Sequence, residues 1–196
     1  PFTAGPVYVG AIVCMLFVLG LCIVKGPYKW GLLIATLFSV FLSWGHNFEW
    51  FSRLFFNYFP FYSKFRAVSS ILVVAQIAMP LLGFLALKEI FERRIDARRL
   101  KRSLLIALGI TGGISLFFAL FGGLIFSFTS SGDAYITAQF PAWFIEAIID
   151  QRAAMFRSDS FRSFAFILLA ALLILLFAKQ KIKPALFVLL LGALFI

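Results

Sequence analysis

Residues 55 to 70 read FFNYFPFYSKFRAVSS, and from Ala67 the chain runs on to Leu87 without a charged residue. Seven aromatic rings surround Pro60, Lys64 and Arg66, and the apolar run that follows has the roughly 20 residues a helix needs to cross hydrocarbon. Aromatic rings gather where a membrane meets water, and cations at a helix end reach the headgroups. The stretch therefore predicts a membrane-spanning helix with a cationic pair, Lys64 and Arg66, held at its mouth.

Composition extends that reading to the whole chain. Of the 196 residues 63% are hydrophobic, 27 are Phe and only 13% are charged. That is too much apolar surface for one globule of this size to bury, so the fold class is all-α integral membrane. The net charge of +10 does not point to nucleic acid, because the cations are confined to short segments between apolar runs. Cys14 and Cys22 lie eight residues apart in one run, about 12 Å along a helix, too far for a disulfide with each other. They read as small hydrophobes, and neither metal nor cofactor spacing is present.

Working outward, six spans emerge, at about 7–24, 31–47, 67–87, 103–128, 163–178 and 184–196, forming one transmembrane bundle with short amphipathic helices in the loops. Gly26 and Pro27 break the chain after the first span. The second stays apolar only to Trp44, about 21 Å of helix. Either it continues through Gly45, His46, Asn47 and Glu49 toward a polar cavity, or these residues sit in a loop among headgroups. His46 is correspondingly a proton carrier, a phosphate donor or a structural residue.

In the third span Pro80 should kink the helix, and Gln76 should bond a neighbouring helix or contact a substrate. Residues 88–102, with seven cations and three acids, read as an amphipathic surface helix or a continuation of that span. In the fourth, Gly109, Gly112, Gly113, Gly122 and Gly123 would admit a close backbone, and Gly109 with Gly113 forms a GxxxG spacing. The chain begins at Pro1 without Met and ends at Ile196 inside an unfinished apolar run, so it reads as an excerpt of a longer polypeptide.

Cation counting gives an orientation. Segments 25–30, 88–102 and 179–183 hold twelve Lys and Arg, whereas 45–67 and 129–162 hold six in about twice the length. The positive-inside rule makes the first group cytoplasmic and brings the other two loops to the exterior face. In the second of these, Pro141 and the apolar residues to Ile149 predict a short interfacial helix or lid. Beyond it, Arg152, Asp159 and Arg162 fall on one helical face, with Asp150 and Arg157 opposite. Ion pairing within the protein explains such a pattern, and so does an anion site, since the guanidinium fork matches phosphate oxygens.

Three segments resemble the bacterial YfhO family of multi-pass membrane proteins: Pro60 to Arg66 leading into Val68 to Val74, Asp150 to Arg162, and Pro1 to Gly10. The resemblance covers nearly all of this chain and the middle portion of such a protein. It implies a glycosyltransferase of the C superfamily (GT-C) in the bacterial inner membrane. Such an enzyme takes a sugar from a polyprenyl-phosphate donor and transfers it on the exterior face to a cell-envelope acceptor. It implies no metal or cofactor for this part, and places the catalytic acid in an upstream loop, so Glu49, Asp133 and Asp150 are weak candidates for the base.

The lipid-phosphate cradle would then comprise Arg66 and Lys64, followed by Arg152, Arg157 and Arg162, with His46 nearby. A phosphate-linked lipid has its tail in hydrocarbon and its charge among headgroups. Fixed cations beside the departing phosphate would stabilise the transition state more than the bound donor. Snorkelling anchors explain Arg66 and Lys64 without a ligand. Two other classes stay open. A transporter or lipid flippase would line a path with Gln76, Pro80, Glu49 and His46, and a noncatalytic scaffold would pair every exterior Arg with an acid. The implied partners are a polyprenyl-phosphate sugar, membrane lipids and the rest of the chain.

Overall fold

The computed structural model describes residues 8–43, 71–129, 133 and 141–194. Among them every regular element is helical. In chain order these are α1 (Ala11–Ile23), α2 (Tyr28–Ser43), α3 (Leu72–Phe91), α4 (Ala97–Ala107), a π-helical turn (Leu108–Gly112), α5 (Gly113–Ile125), α6 (Ala142–Ala178) and α7 (Pro184–Ala193).

Among the described residues three helices are long and apolar enough to cross a membrane: Leu72–Phe91, the unbroken run Ala97–Ile125, and Trp143–Ala178. The shorter apolar helices are α1, α2 and α7. The chain forms two compact units, Pro1–Leu104 and Leu105–Ile196.

In the first unit, α1 and α3 meet through a reciprocal pair of glycines. A Cβ on Gly20 would lie 2.8 Å from the Leu82 carbonyl oxygen, and one on Gly83 would lie 3.1 Å from Leu16 Cβ. Each glycine thus seats the other helix's leucine, and the backbones approach closely enough for dispersion to hold them where lipid provides no hydrophobic drive. The buried face of α3 is a row of small and medium residues, Ala75, Ala78, Leu82, Gly83 and Ala86. Its large residues Ile77, Leu81 and Phe84 face outward.

Helix α2 carries the same inversion further, burying Thr36 and Ser39 while Ile34, Leu37, Phe38 and Phe41 stay exposed. Such a surface suits hydrocarbon and is costly in water, which is the packing argument for a membrane protein. The hydroxyls bond within their own helices: Thr36 Oγ1 donates to Leu32 O at 2.8 Å, Ser39 Oγ to Thr36 O at 3.0 Å and Thr111 Oγ1 to Ala107 O at 2.8 Å. Local bonds of this kind let small polar residues sit where no water is available.

Gln76 departs from that pattern. It makes no side-chain hydrogen bond to a described residue, in place of the expected interhelical bond. Pro80 lies inside α3. Having no N–H, it leaves the Gln76 carbonyl without its usual i+4 donor.

Glycine chemistry also makes the first turn. Gly26 has φ +103°, a conformation closed to most side chains, and α2 starts right after Pro27. Tyr28 and Trp30 therefore belong to the first turn of α2 instead of a linking loop. Residues 88–102 are neither one surface helix nor a simple continuation: α3 ends at Phe91 and α4 begins at Ala97. Arg94 N–H donates to Glu89 O and Arg93 N–H to Ile90 O, with Arg93 at φ +51°. This paired C-terminal cap stops α3 although the sequence offers no glycine there.

In the second unit α5 and α6 run antiparallel, with Phe156 against Gly122 and Phe164 against Gly112. A Cβ on Gly109 or Gly113 would meet nothing within 4 Å, so the close approach uses Gly112 and Gly122 instead of the GxxxG pair. Phe177 and Phe187 stack at 4.6 Å between α6 and α7. The expected helix at 141–149 exists, but as the opening turns of the 37-residue α6, not as a separate element. Such a helix is about 55 Å long, well beyond a hydrocarbon core of roughly 30 Å.

Candidate functional site

The charged half of α6 lies beside the end of α5. There Phe118, Phe126, Phe128 and Phe156 form a ring cluster with centroids 5.4–6.2 Å apart in mostly edge-on or tilted contacts. Edge-to-face geometry sets the positive rim of one ring on the negative face of another. Gly122, with no side chain, is what lets Phe156 enter from α6. After Ile125 the chain leaves the helix, and Phe128 adopts φ +52°, turning its carbonyl toward α6.

Arg152 closes over this cluster. Its Nη1 donates to Phe128 O at 3.1 Å and to Asp133 Oδ2 at 2.8 Å, and its Nη2 to Asp133 Oδ1 at 2.9 Å. The carboxylate thus takes the guanidinium fork with both oxygens, and its own side chain is only 13% exposed. Its hydrogen bonds push the Arg152 pKa up from the ordinary value, burial opposes the shift, and the Asp133 charge adds to it. The guanidinium therefore stays charged at every physiological pH. Three of its five N–H donors are committed to the protein.

Arg162 pairs with Asp159 at 3.0 Å, three residues away on the same helix. Both side chains are about two-thirds exposed, so water screens the pair, and surface pairs of this kind contribute roughly 0.2–1 kcal/mol.

Arg157 differs from both. It has no ion pair with a described residue, and its Nη2 lies 3.6 Å from where a Gly123 Cβ would be. The guanidinium reaches back over α5 at a place where the missing side chain leaves the backbone bare. Glu146 and Asp150 lie up-helix on nearly the same face, Asp150 two turns or about 10.5 Å away. Both acids are exposed, and that distance is too long for an ion pair with Arg157.

The three arginines are thus spread along about 15 Å of α6 and do not meet at one point. Of the other residues singled out in the sequence, His46, Lys64 and Arg66 lie outside the described residues, as does Glu49. Whether the two loops come together is therefore not part of the described geometry. No group of three metal-ligating side chains occurs among the described residues.

Sequence reasoning missed Asp133 as the Arg152 partner. The two are 19 positions apart across a loop, and no helical spacing marks them as neighbours. It read Gly123 as a place for a neighbouring backbone, not for the Arg157 side chain. The neighbouring Gly122-Gly123 doublet was the available signal, because adjacent glycines open two faces of a helix at once.

Searches of protein-family models, curated proteins and solved structures find no match to this chain.

Proposed function

We propose that this chain is part of a membrane-embedded glycosyltransferase of GT-C type, and that Arg157 holds the phosphate of a polyprenyl-phosphate-linked sugar. The observation that carries the reading is the placement of Arg157: a guanidinium with no acid partner among the described residues, beside the backbone of Gly123, next to a phenylalanine cluster. Such a site matches a ligand whose charge sits among headgroups and whose tail enters hydrocarbon. Arg162 serves as a second, exchangeable cation. Arg152 serves in this reading as a structural lock, because Asp133 takes its fork.

In this reading the chain crosses a bacterial inner membrane six times, α1, α2 and α7 spanning together with the three longer helices. The segments 45–67 and 129–162 are exterior, and 25–30, 88–102 and 179–183 cytoplasmic, as the cation distribution supports. The early turns of α6 then project beyond the hydrocarbon, carrying the sugar-binding side of the site. Lys64 and Arg66 are further phosphate candidates on the sequence alone, and the catalytic carboxylate comes from the rest of the protein.

A noncatalytic scaffold is the second reading, favoured by the Arg152–Asp133 and Arg162–Asp159 pairs. The full-length protein separates the two. Arg157→Ala should reduce donor affinity or sugar transfer at least about tenfold, as expected for a lost charge-assisted contact, with Arg157→Lys restoring part of it. Unchanged transfer and donor affinity in Arg157→Ala would exclude Arg157 from the phosphate site.

A further inference from the structure

A second site lies in the first unit, independent of Arg157. Between the start of α2 and the second half of α3 runs an open groove of about 630 Å³, lined by Pro27, Tyr28, Gly31, Leu32, Leu81 and Leu85. Its lining is almost wholly apolar. Gly31 opens it: a Cβ there would meet nothing within 4 Å, so this glycine serves neither a helix contact nor a turn. In a helix such a residue is less favourable than alanine, and what it leaves here is unfilled space along α2.

Two lysines adjoin the lining residues along the chain. One turn beyond Leu85, Lys88 is 62% exposed, and its ammonium is 3.9 Å from Glu92, a carboxylate that Arg94 holds more closely at 2.7 Å. Lys25, two residues before Pro27, is exposed and has no acid partner among the described residues. Lys29 and Arg99 donate instead to the carbonyls of Leu21 and Cys22 at 3.3 and 3.5 Å at the end of α1. Those carbonyls carry the negative end of the helix dipole, so two cations are used internally. Lys25 and Lys88 are left for a ligand. Glu89 and Asp96 are the remaining acids of this segment, and neither forms an ion pair with a described residue.

We propose that this groove binds one acyl chain of an anionic phospholipid, whose phosphate lies between Lys25 and Lys88. The charge selects the ligand: an apolar slot alone accepts any lipid tail, whereas two under-neutralised ammonium groups at its mouth favour a headgroup with net negative charge. Tyr28, 75% exposed beside the slot, and Trp30, 58% exposed, stand at the interfacial level such a headgroup occupies.

Trp30 provides the readout. With Trp44, Trp50 and Trp143 changed to Phe, the intact protein is placed in phosphatidylcholine nanodiscs containing brominated phosphatidylglycerol or brominated phosphatidylcholine. Trp30 quenching should reach half its limit at a mole fraction of the brominated anionic lipid about fivefold lower than for the zwitterionic one, the enrichment expected from one surface lysine or more. Lys25→Glu with Lys88→Glu should remove that preference, and Gly31→Leu should weaken quenching by both lipids while the helical circular dichroism stays unchanged.

Equal quenching by the two lipids in the parent protein would overturn the proposal and leave only ordinary boundary lipid. Absence of quenching, with Gly31→Leu altering the oligomeric state, would assign the groove to a second copy of the chain. Absence of quenching with no such change would assign it to another segment of the same chain.

Discussion

The α1–α3 contact in the first unit and the α5–α6 contact in the second answer the same physical problem with different materials. In both, helices must adhere where surrounding lipid is as apolar as their own side chains, so close packing has to do what water exclusion does in a soluble protein. The first uses reciprocal glycines, each receiving a leucine or its backbone. The second seats a phenylalanine on each glycine, surrounds one of them with further rings, and locks the end with the Arg152–Asp133 pair. The difference teaches where each contact is brittle. A backbone neighbour cannot yield to an added atom, but a ring can shift by part of a rotamer.

The sharpest way to break the comparison is Gly20→Ala. Its new Cβ would fall 2.8 Å from the Leu82 carbonyl oxygen, so α1 and α3 must separate. A loss of about 1–3 kcal/mol is expected, partly offset by the gain of up to about 1 kcal/mol that alanine brings to a helix. Gly31→Ala, in open space, should show that gain alone. Unfolding of the detergent-solubilised protein by SDS measures both, and opposite signs are the expected result.

A smaller loss is expected for Gly122→Ala, because the atom it meets belongs to the Phe156 ring. The rings Phe118, Phe126 and Phe128 limit that movement, so the variant should unfold earlier than the parent but later than Gly20→Ala. The same titration orders the three. Equal losses at Gly20 and Gly122 would mean that the ring cluster is as rigid as a backbone.

The mildest change is Asp133→Asn, which leaves the shape of the second contact intact and removes its charge. Arg152 would keep its bond to Phe128 O but lose its carboxylate. Local protection from hydrogen exchange around residues 126–129 should fall, while the α1–α3 amides stay as they were. A response confined to neither region would show that the ion pair has no local role.

Much of this was readable beforehand, and for a single reason. The long uncharged run from Ala67 and the scarcity of charge elsewhere impose helices, since a backbone in hydrocarbon must satisfy its own hydrogen bonds. Helix ends were less visible. Gly26 announces the first turn, but α3 stops at Arg93, a non-glycine residue in the left-handed region, and no propensity rule places the stop there. The long α6 was divided in the reading because its charges looked like a loop. A helix that extends beyond its membrane tolerates charge on its outer turns, so polarity alone did not end it.

The candidate site divides along the same line. The sequence alone established the all-helical class and the long uncharged runs, because these depend on composition and on a fixed rise per residue. Only the tertiary structure decided that Arg152, Arg157 and Arg162 share one helix, that Arg152 pairs with Asp133, that Arg157 lies over Gly123 without an acid partner among the described residues, and that Gly112 and Gly122, not Gly109 and Gly113, receive the neighbouring helix. Those outcomes turn on which surfaces face each other across a chain reversal. Helical periodicity orders residues around one axis and carries no information about the rotation of a second helix against it.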